Sequence, residues 1–424
     1  MRIAVLPDAL KTLDGGFHYE LVFLNALSEI AAAFPAEFVC LTTPETNLAS
    51  LAGAEGLNYR NLPIRALEKT VIPQGPPESY FHIKPQYPEL DPNVFYVERD
   101  KAIALRNAGI DLILQLGPYA RPFAAMIPFI MTIYDLNHRL HPEFPEVSAS
   151  GEFKQREYLY TNTCRYATFV LVDSEVGKAD VLRFYSNVID EDRIRVLPYY
   201  PPLELRAAPS QRDLARVAAA YNLPKRYFFY PAQFWRHKNH SLILRAIRLI
   251  ADETGEKVPV VFCGAYGDYF RATNFIAIGA LAAQLGISDR VFYLGLVPSD
   301  DMAALYTLSA GLVMPTFFGP TNIPPLEAWC YGRPVITSDI RGMREQNGDA
   351  SLLIDPHSPQ DLARAMLHLW RDETLAVTLV ERGRKRLASY SWNAFVEGVA
   401  AVMSEACERV RNGRTPKFPD IDLA

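Results

Sequence analysis

Short unbroken apolar runs alternate with longer stretches of helical periodicity along this 424-residue chain. Arg2–Pro7, Glu37–Thr43, Leu112–Leu116, Phe129–Ile133, Phe169–Val172 and Ile194–Leu197 are runs of the first kind and read as buried strands, with Asn58–Pro63 as a further candidate. Tyr19–Ala33, Ala102–Ala108, Phe153–Tyr166 and Val176–Phe184 carry the helical spacing. A loop, Lys11–Phe17, holding Gly15 and Gly16, joins the first strand to the first helix. Pro198-Tyr199-Tyr200-Pro201-Pro202 then interrupts everything, because proline removes backbone donors and forces extended chain.

A second strand–helix series follows. Its strands are Tyr227–Pro231, Val258–Cys263, Val291–Leu294, Leu312–Pro315, Pro334–Thr337 and Leu352–Ile354. Its helices are Ser241–Thr254, Ala272–Leu285, Met302–Ser309, Pro359–Asp372 and Glu373–Tyr390, and Trp392–Val410 is a last amphipathic helix. The reading is α/β, two doubly wound parallel-sheet domains, one over 1–200 and one over 201–392. One segment breaks the alternation. Thr70–Asp100 holds six prolines and the aromatics Tyr80, Phe81, Tyr87, Phe95 and Tyr96, so it reads either as a glycan-stacking insertion or as a folded core loop.

Composition narrows the classes. A net charge of −5 gives no electrostatic footprint for nucleic acid. Five scattered cysteines form no C-x-x-C pair, which favours a reducing compartment and predicts no thiol metal site, with Cys263 and Cys330 as small buried hydrophobes. Met1–Leu6 runs straight into a strand, which predicts no signal peptide, and no apolar run reaches the length of a membrane span. The expectation is a cytoplasmic protein, with peripheral contact at the inner face of the membrane left open.

Candidate chemistry sits in two loops of the second half. In Gln233–His240, Lys238 stands just before a helix start, where orphan N–H groups and a full positive charge suit a phosphate. In Phe317–Ile323, Gly319, Thr321 and Asn322 precede Pro324-Pro325-Leu326-Glu327, so backbone N–H groups approach an anion and Glu327 falls in the first helical turn. Gly332 reads as the C-terminal glycine of that helix. Asp300-Asp301 reads as a helix cap rather than a metal site.

The second half resembles the retaining family 4 glycosyltransferases. The likeness rests on Tyr230–His240, Val291–Val297, Gly319–Ile336, Ser338-Asp339-Ile340 and Gly348–Pro356, in matching order and spacing over about Tyr227–Leu367. Gly15-Gly16, Thr132–His138, Val172–Glu175 and Trp392 are compatible. The resemblance implies a GT-B fold: two Rossmann-like domains facing a central cleft, an acceptor domain over 1–200 completed by a C-terminal helix (393–424) crossing back to it, and a donor domain over 201–392. It implies that Lys238 holds a donor diphosphate, that Glu327 binds the ribose, and that Asn322 and Ile323 offer N–H groups. Gly15, Gly16, Gln233, Arg236, Gly264, Val297, Gly319 and Thr321 complete the donor set, Asp135 and His138 are catalytic candidates facing the cleft, and Tyr134 and Glu175 are acceptor candidates.

Three positions depart from the family pattern. Gly319 replaces the first of two glutamates, Gln233 the donor-site arginine, and Tyr134 a first-domain histidine, which leaves Arg236 or His237 to supply the missing charge. The implied activity is transfer of a hexose or deoxyhexose from a nucleotide diphosphate sugar (GDP-, UDP- or dTDP-linked) to a glycan or lipid-linked glycan, with retention, without cofactor or metal. A sugar-nucleotide epimerase of similar fold and a non-catalytic donor-binding scaffold share the same donor features and stay open at this point.

Overall fold

A computed structural model describes residues 1–6, 15–40, 95–118, 121–201 and 208–420. The chain divides into two compact units: Met1–Pro142, Val147–Tyr200 and Ser391–Ala424 form the first, and Glu143–Glu146 with Pro201–Tyr390 form the second.

The first unit is built on six parallel strands, β1 (Arg2–Leu6), β2 (Glu37–Cys40), β3 (Leu112–Gln115), β4 (Phe129–Thr132), β5 (Phe169–Val172) and β6 (Ile194–Val196), in the order β2-β1-β3-β4-β5-β6. Every residue of β3, β4 and β5 is buried. A parallel sheet covered on both faces has no side for water, which is why these strands are written as unbroken apolar runs. The last helix, Trp392–Arg411, belongs to this unit and lies on the first helix, Gly15–Ala31. Phe395 meets Phe23 edge-on at 6.2 Å and Tyr200 at 6.1 Å. Trp392 Nε1 donates to Glu29 Oε1 at 2.6 Å, and Arg195 pairs with Glu405 at 2.5 Å.

The second unit carries β7 (Phe228–Pro231), β8 (Val260–Cys263), β9 (Val291–Tyr293), β10 (Gly311–Met314), β11 (Val335–Ser338) and β12 (Ser351–Ile354), all parallel, in the order β12-β11-β10-β7-β8-β9. The chain enters at β7 in the middle, runs outward through β8 and β9, then crosses to β10 and runs out the other way. Between β7 and β10 the winding reverses, and ligands of doubly wound sheets bind at the carboxyl ends beside such a reversal. Chain of both units thus follows the GT-B pattern of two Rossmann-like sheets.

Most expected elements are present with shifted starts. The helix after β8 is Tyr269–Gln284, three residues earlier than its periodicity indicates, because Asp268 caps it by accepting from the Arg271 N–H at 3.0 Å. Helix Gln211–Ala220 is additional, opened by a Ser210/Asp213 capping box. It docks through Arg216 and Tyr221, which donate to Asp301 at 2.6 and 2.8 Å. Asp300 and Asp301 are therefore not caps: helix Ser299–Leu308 starts before them, and Asp301 is a buried acceptor. Asn58–Pro63 and residues 70–94 lie outside the described residues. Phe95 packs on Tyr166 at 4.9 Å, and the Tyr96 N–H donates to the Tyr158 hydroxyl, so both serve the core of the first unit. None of the five cysteines is in a disulfide; Cys263 is buried and Cys330 half-buried. Among the described residues no helix is long and apolar enough to cross a membrane.

Truncating the ring that seats the last helix tests this packing. Phe395→Ala is expected to lower the stability of the first unit by about 3–5 kcal/mol, the usual range for a buried phenylalanine, and urea denaturation followed by circular dichroism measures it.

Candidate functional site

The carboxyl ends of β7 and β10 are laced together by hydrogen bonds. The loop after β7 makes a single 3-10 turn, Arg236–Lys238, before helix His240–Thr254 begins. The His237 carbonyl accepts from the Phe317 N–H at 2.8 Å and from the Thr316 hydroxyl at 3.2 Å. Buried Asn239 takes left-handed backbone (φ 56°), which asparagine tolerates, and its amide donates to the Pro315 and Pro356 carbonyls at 3.0 and 2.8 Å. Lys238 and the loop before Glu327 thus sit on one rigid ledge.

The loop after β8 lies directly against the loop after β7. A Cβ on Gly264 (φ 150°) would stand 2.4 Å from the Ala232 carbonyl oxygen, so only glycine permits this approach. It brings Arg271 to Gln233. Gln233 Oε1 accepts from Trp235 Nε1 at 2.8 Å and from Arg271 Nη1 at 2.9 Å. Indole and guanidinium nitrogens only donate, so the amide orientation is fixed and the Gln233 NH2 group is turned away from them. Among the described residues that NH2 has no partner.

The N-terminus of helix Ile323–Cys330 is narrower as an anion site than its sequence indicates. The Asn322 N–H, expected to meet a phosphate, donates instead to Gln346 Oε1 at 2.8 Å. Pro324 and Pro325 have no N–H. Of the orphan donors at this helix start, Ile323 alone keeps a hydrogen without a partner among the described residues. Gly319 (φ 136°) faces the Asn322 side chain, and a Cβ there would stand 2.4 Å from Asn322 Nδ2. The backbone at Gly319 is one that residues with a side chain rarely adopt, and the Asn322 amide lies in the space a Cβ would enter.

Glu327 sits in the second turn of this helix, not the first, because the helix begins at Ile323. It is buried, and Oε2 accepts from the Tyr306 hydroxyl at 2.6 Å. Burial pushes its carboxyl up to about 6, against the opposing pull of the tyrosine. Arg236 is exposed, but His237 is already engaged: Glu146 Oε1 accepts from the His237 N–H at 3.0 Å and faces Nδ1 at 2.9 Å. Burial works to raise the Glu146 carboxyl, and these bonds outweigh it, so it stays below the usual range. His237 is thus not a spare cation for a ligand. Val297 is half-buried in the loop after β9, one strand beyond Gly264, and Thr321 is half-buried before Asn322.

In the first unit, Gly15 and Gly16 open helix Gly15–Ala31 rather than lying in a loop, and residues 7–14 lie outside the described residues. Tyr134 is a packed aromatic, edge-on to Tyr19 at 5.3 Å. Asp135 follows β4, caps Asn137 at 3.0 Å and faces Arg156 at 3.5 Å. Glu175 is exposed at the first position of its helix. His138 departs from its expected role. It is fully buried against Phe153 and Tyr160, its Nε2 lies 2.7 Å from Glu157 Oε1, and burial lowers its pKa despite that carboxylate. It is a core histidine.

Four groups that shape the site had no local signal in the chain: Arg271, Tyr306, Gln346 and Glu146. Their partners lie 38, 21, 24 and 91 residues away in sequence. Only the fold brings them in.

The raised Glu327 carboxyl carries a pH signature. A carboxyl held above its ordinary value binds its proton more tightly in the folded state, so the stability it contributes is present below about pH 4.5 and is lost as pH rises through about 6. The rise from 4.5 to about 6 is worth ~2 kcal/mol. Glu327→Gln keeps an acceptor for Tyr306 and cannot ionise. Relative to wild type it is expected to gain ~2 kcal/mol of unfolding free energy between pH 4 and pH 8, measured by urea denaturation at both pH values.

The family model described as "Glycosyl transferases group 1" matches residues 211–386. A D-inositol 3-phosphate glycosyltransferase of Salinispora arenicola is 29% identical over 231 residues, 51% of this chain and 51% of its own length. An O-antigen chain mannosyltransferase B of Escherichia coli is 24% identical over 252 residues, 58% of this chain and 63% of its own. The match thus spans about half to two thirds of these curated relatives. Among solved structures, Anabaena Alr3699/HepE in complex with UDP-glucose superposes with a TM-score of 0.69 at 15% identity, over 96% of this chain and 100% of that one. A glycosyltransferase from Rickettsia africae gives 0.67 at 14%, over 96% and 98%. These two likenesses concern the fold. Residues 211–386 thus match the group 1 glycosyl transferase model, and the chain carries a GT-B fold.

Proposed function

We propose that the chain is a retaining glycosyltransferase that moves a hexose or deoxyhexose from a nucleoside diphosphate sugar to a glycan or lipid-linked glycan. The observation that carries this reading is the ledge at the carboxyl ends of β7 and β10, which brings together Lys238, the Gln233 amide NH2 and the Ile323 N–H at the winding reversal of the sheet. A diphosphate leaving group gathers negative charge as the glycosidic bond breaks. Fixed donors aimed at that charge lower the barrier without reorganising during the reaction. Glu327, deep in the second turn and held by Tyr306, is the acceptor for a ribose diol. In the first unit Asp135 after β4 and Glu175 after β5 are the groups proposed to meet an acceptor, with Tyr134 the packed ring that precedes Asp135.

The O-antigen chain mannosyltransferase among the relatives supports polysaccharide assembly as the setting. With charge neutralised by Lys238 and backbone, the reaction needs no divalent metal. Retention follows the family resemblance of the β7–β12 blocks.

Incubating the protein with UDP-, GDP- and dTDP-sugars and glycan acceptors, and following nucleoside diphosphate release, tests the reading. One donor is expected to be consumed in the presence of acceptor, with the anomeric configuration preserved in the product by NMR. Lys238→Ala is expected to lower kcat/KM for that donor by about 100-fold or more, the scale for losing one charge-stabilising donor. Excess EDTA is expected to leave the rate unchanged; loss restored by Mn2+ counts against metal independence. An isomerised sugar nucleotide without acceptor identifies an epimerase instead, and binding without turnover a scaffold.

A further inference from the structure

We infer that Arg271 is the second cation of the donor pocket, binding the diphosphate together with Lys238. The inference rests on the donor-site reading above and adds a residue to it.

Gln233 is neutral, so the loop after β7 brings one engaged histidine, the exposed Arg236 and Lys238 to the ledge. The loop after β8 adds a guanidinium from the side. Arg271 lies in the first turn of helix Tyr269–Gln284, and Gly264 lets its loop lie against Ala232 and Gln233. Its guanidinium stands 4.8 Å over the Trp235 ring, donates from Nη1 to Gln233 Oε1 at 2.9 Å, and pairs through Nε with Asp268. The side chain is one-fifth exposed. Nη2 has no hydrogen-bond partner among the described residues.

Three contacts fix the fork and leave one edge of it open. The open edge belongs to the same cluster as the unpartnered NH2 of Gln233. A guanidinium edge and an amide NH2 that both keep hydrogens to donate suit an anion, and a fixed guanidinium binds phosphate oxygens at lower entropic cost than a flexible one. Arg271 also explains why the neutral Gln233 is tolerated. The amide acts as the bracket that turns the arginine toward the ligand, and the charge itself comes from the neighbouring loop.

Asp268 provides the discriminating variant. Asp268→Asn keeps a helix cap of similar strength and an oxygen that accepts from Arg271 Nε, so the fork stays placed while the charge that competes for the guanidinium is removed. If Arg271 serves only the ion pair, Asp268→Asn and Arg271→Met lose ligand alike. If it serves phosphate, only Arg271→Met does.

The test is calorimetric titration of the full chain with UDP and GDP and with uridine and guanosine, for wild type, Arg271→Met, Asp268→Asn and Lys238→Ala. For whichever diphosphate the wild type binds, Arg271→Met is expected to raise Kd by about tenfold or more, the scale of a charge-assisted hydrogen bond. Binding of the matching nucleoside is expected to stay the same, which also shows that the variant is folded. Asp268→Asn is expected to bind the diphosphate as tightly as wild type or more tightly. Diphosphate binding within twofold of wild type in Arg271→Met overturns the assignment, as does an equal loss in Asp268→Asn or an equal loss of nucleoside. Loss in Lys238→Ala with none in Arg271→Met overturns this inference alone. No diphosphate binding by the wild type overturns the donor reading with it.

Discussion

The Asn239 side chain is the point on which the candidate site depends. Its amide reaches carbonyls that follow β10 and β12, while its own backbone takes a left-handed turn that starts helix His240–Thr254. One buried residue therefore joins three loops at the winding reversal of the second sheet. It ties the loop of Lys238 to the strand end that leads to the helix bearing Glu327. The His237 carbonyl, bonded to Thr316 and Phe317, is the second stitch. A preorganised anion site needs donors that do not move when charge arrives, and these bonds supply that rigidity.

The sheets were legible because parallel strands buried on both faces need consecutive apolar residues, and β3, β4, β5, β8 and β10 are written that way. Helix Gln211–Ala220 was not, because its buried side reduces to Val217 and its anchoring is polar, through Asp301. Lys238, Gln233, Gly319 and Glu327 could be singled out by their place beside strand ends. What surrounds them could not. Gln346 takes the Asn322 N–H, Tyr306 takes one oxygen of Glu327, and Glu146 takes His237, each from an element far along the chain. His138 shows the opposite failure: polar residues in a loop after a strand suggest a site, yet three aromatic neighbours and Glu157 enclose this one.

The departures from the family pattern are coupled to local packing rather than scattered. Gly319 goes with the Asn322 side chain that fills the space a Cβ would need. Gln233 goes with Arg271, whose guanidinium needs an acceptor there. Each loss of charge or carboxylate has a steric or hydrogen-bonding partner that makes sense of it. The site that results is strongly donor-biased, with Glu327 as its buried carboxylate.

The central claim is that a nucleoside diphosphate lies on the ledge between the ends of β7 and β10. A crystal structure of the protein with the diphosphate it binds tests this directly. The account predicts phosphate oxygens within hydrogen-bond distance of Lys238 Nζ and the Ile323 N–H, and a ribose hydroxyl on Glu327. A diphosphate bound elsewhere, or one that leaves Lys238 and Ile323 without contact, would contradict it.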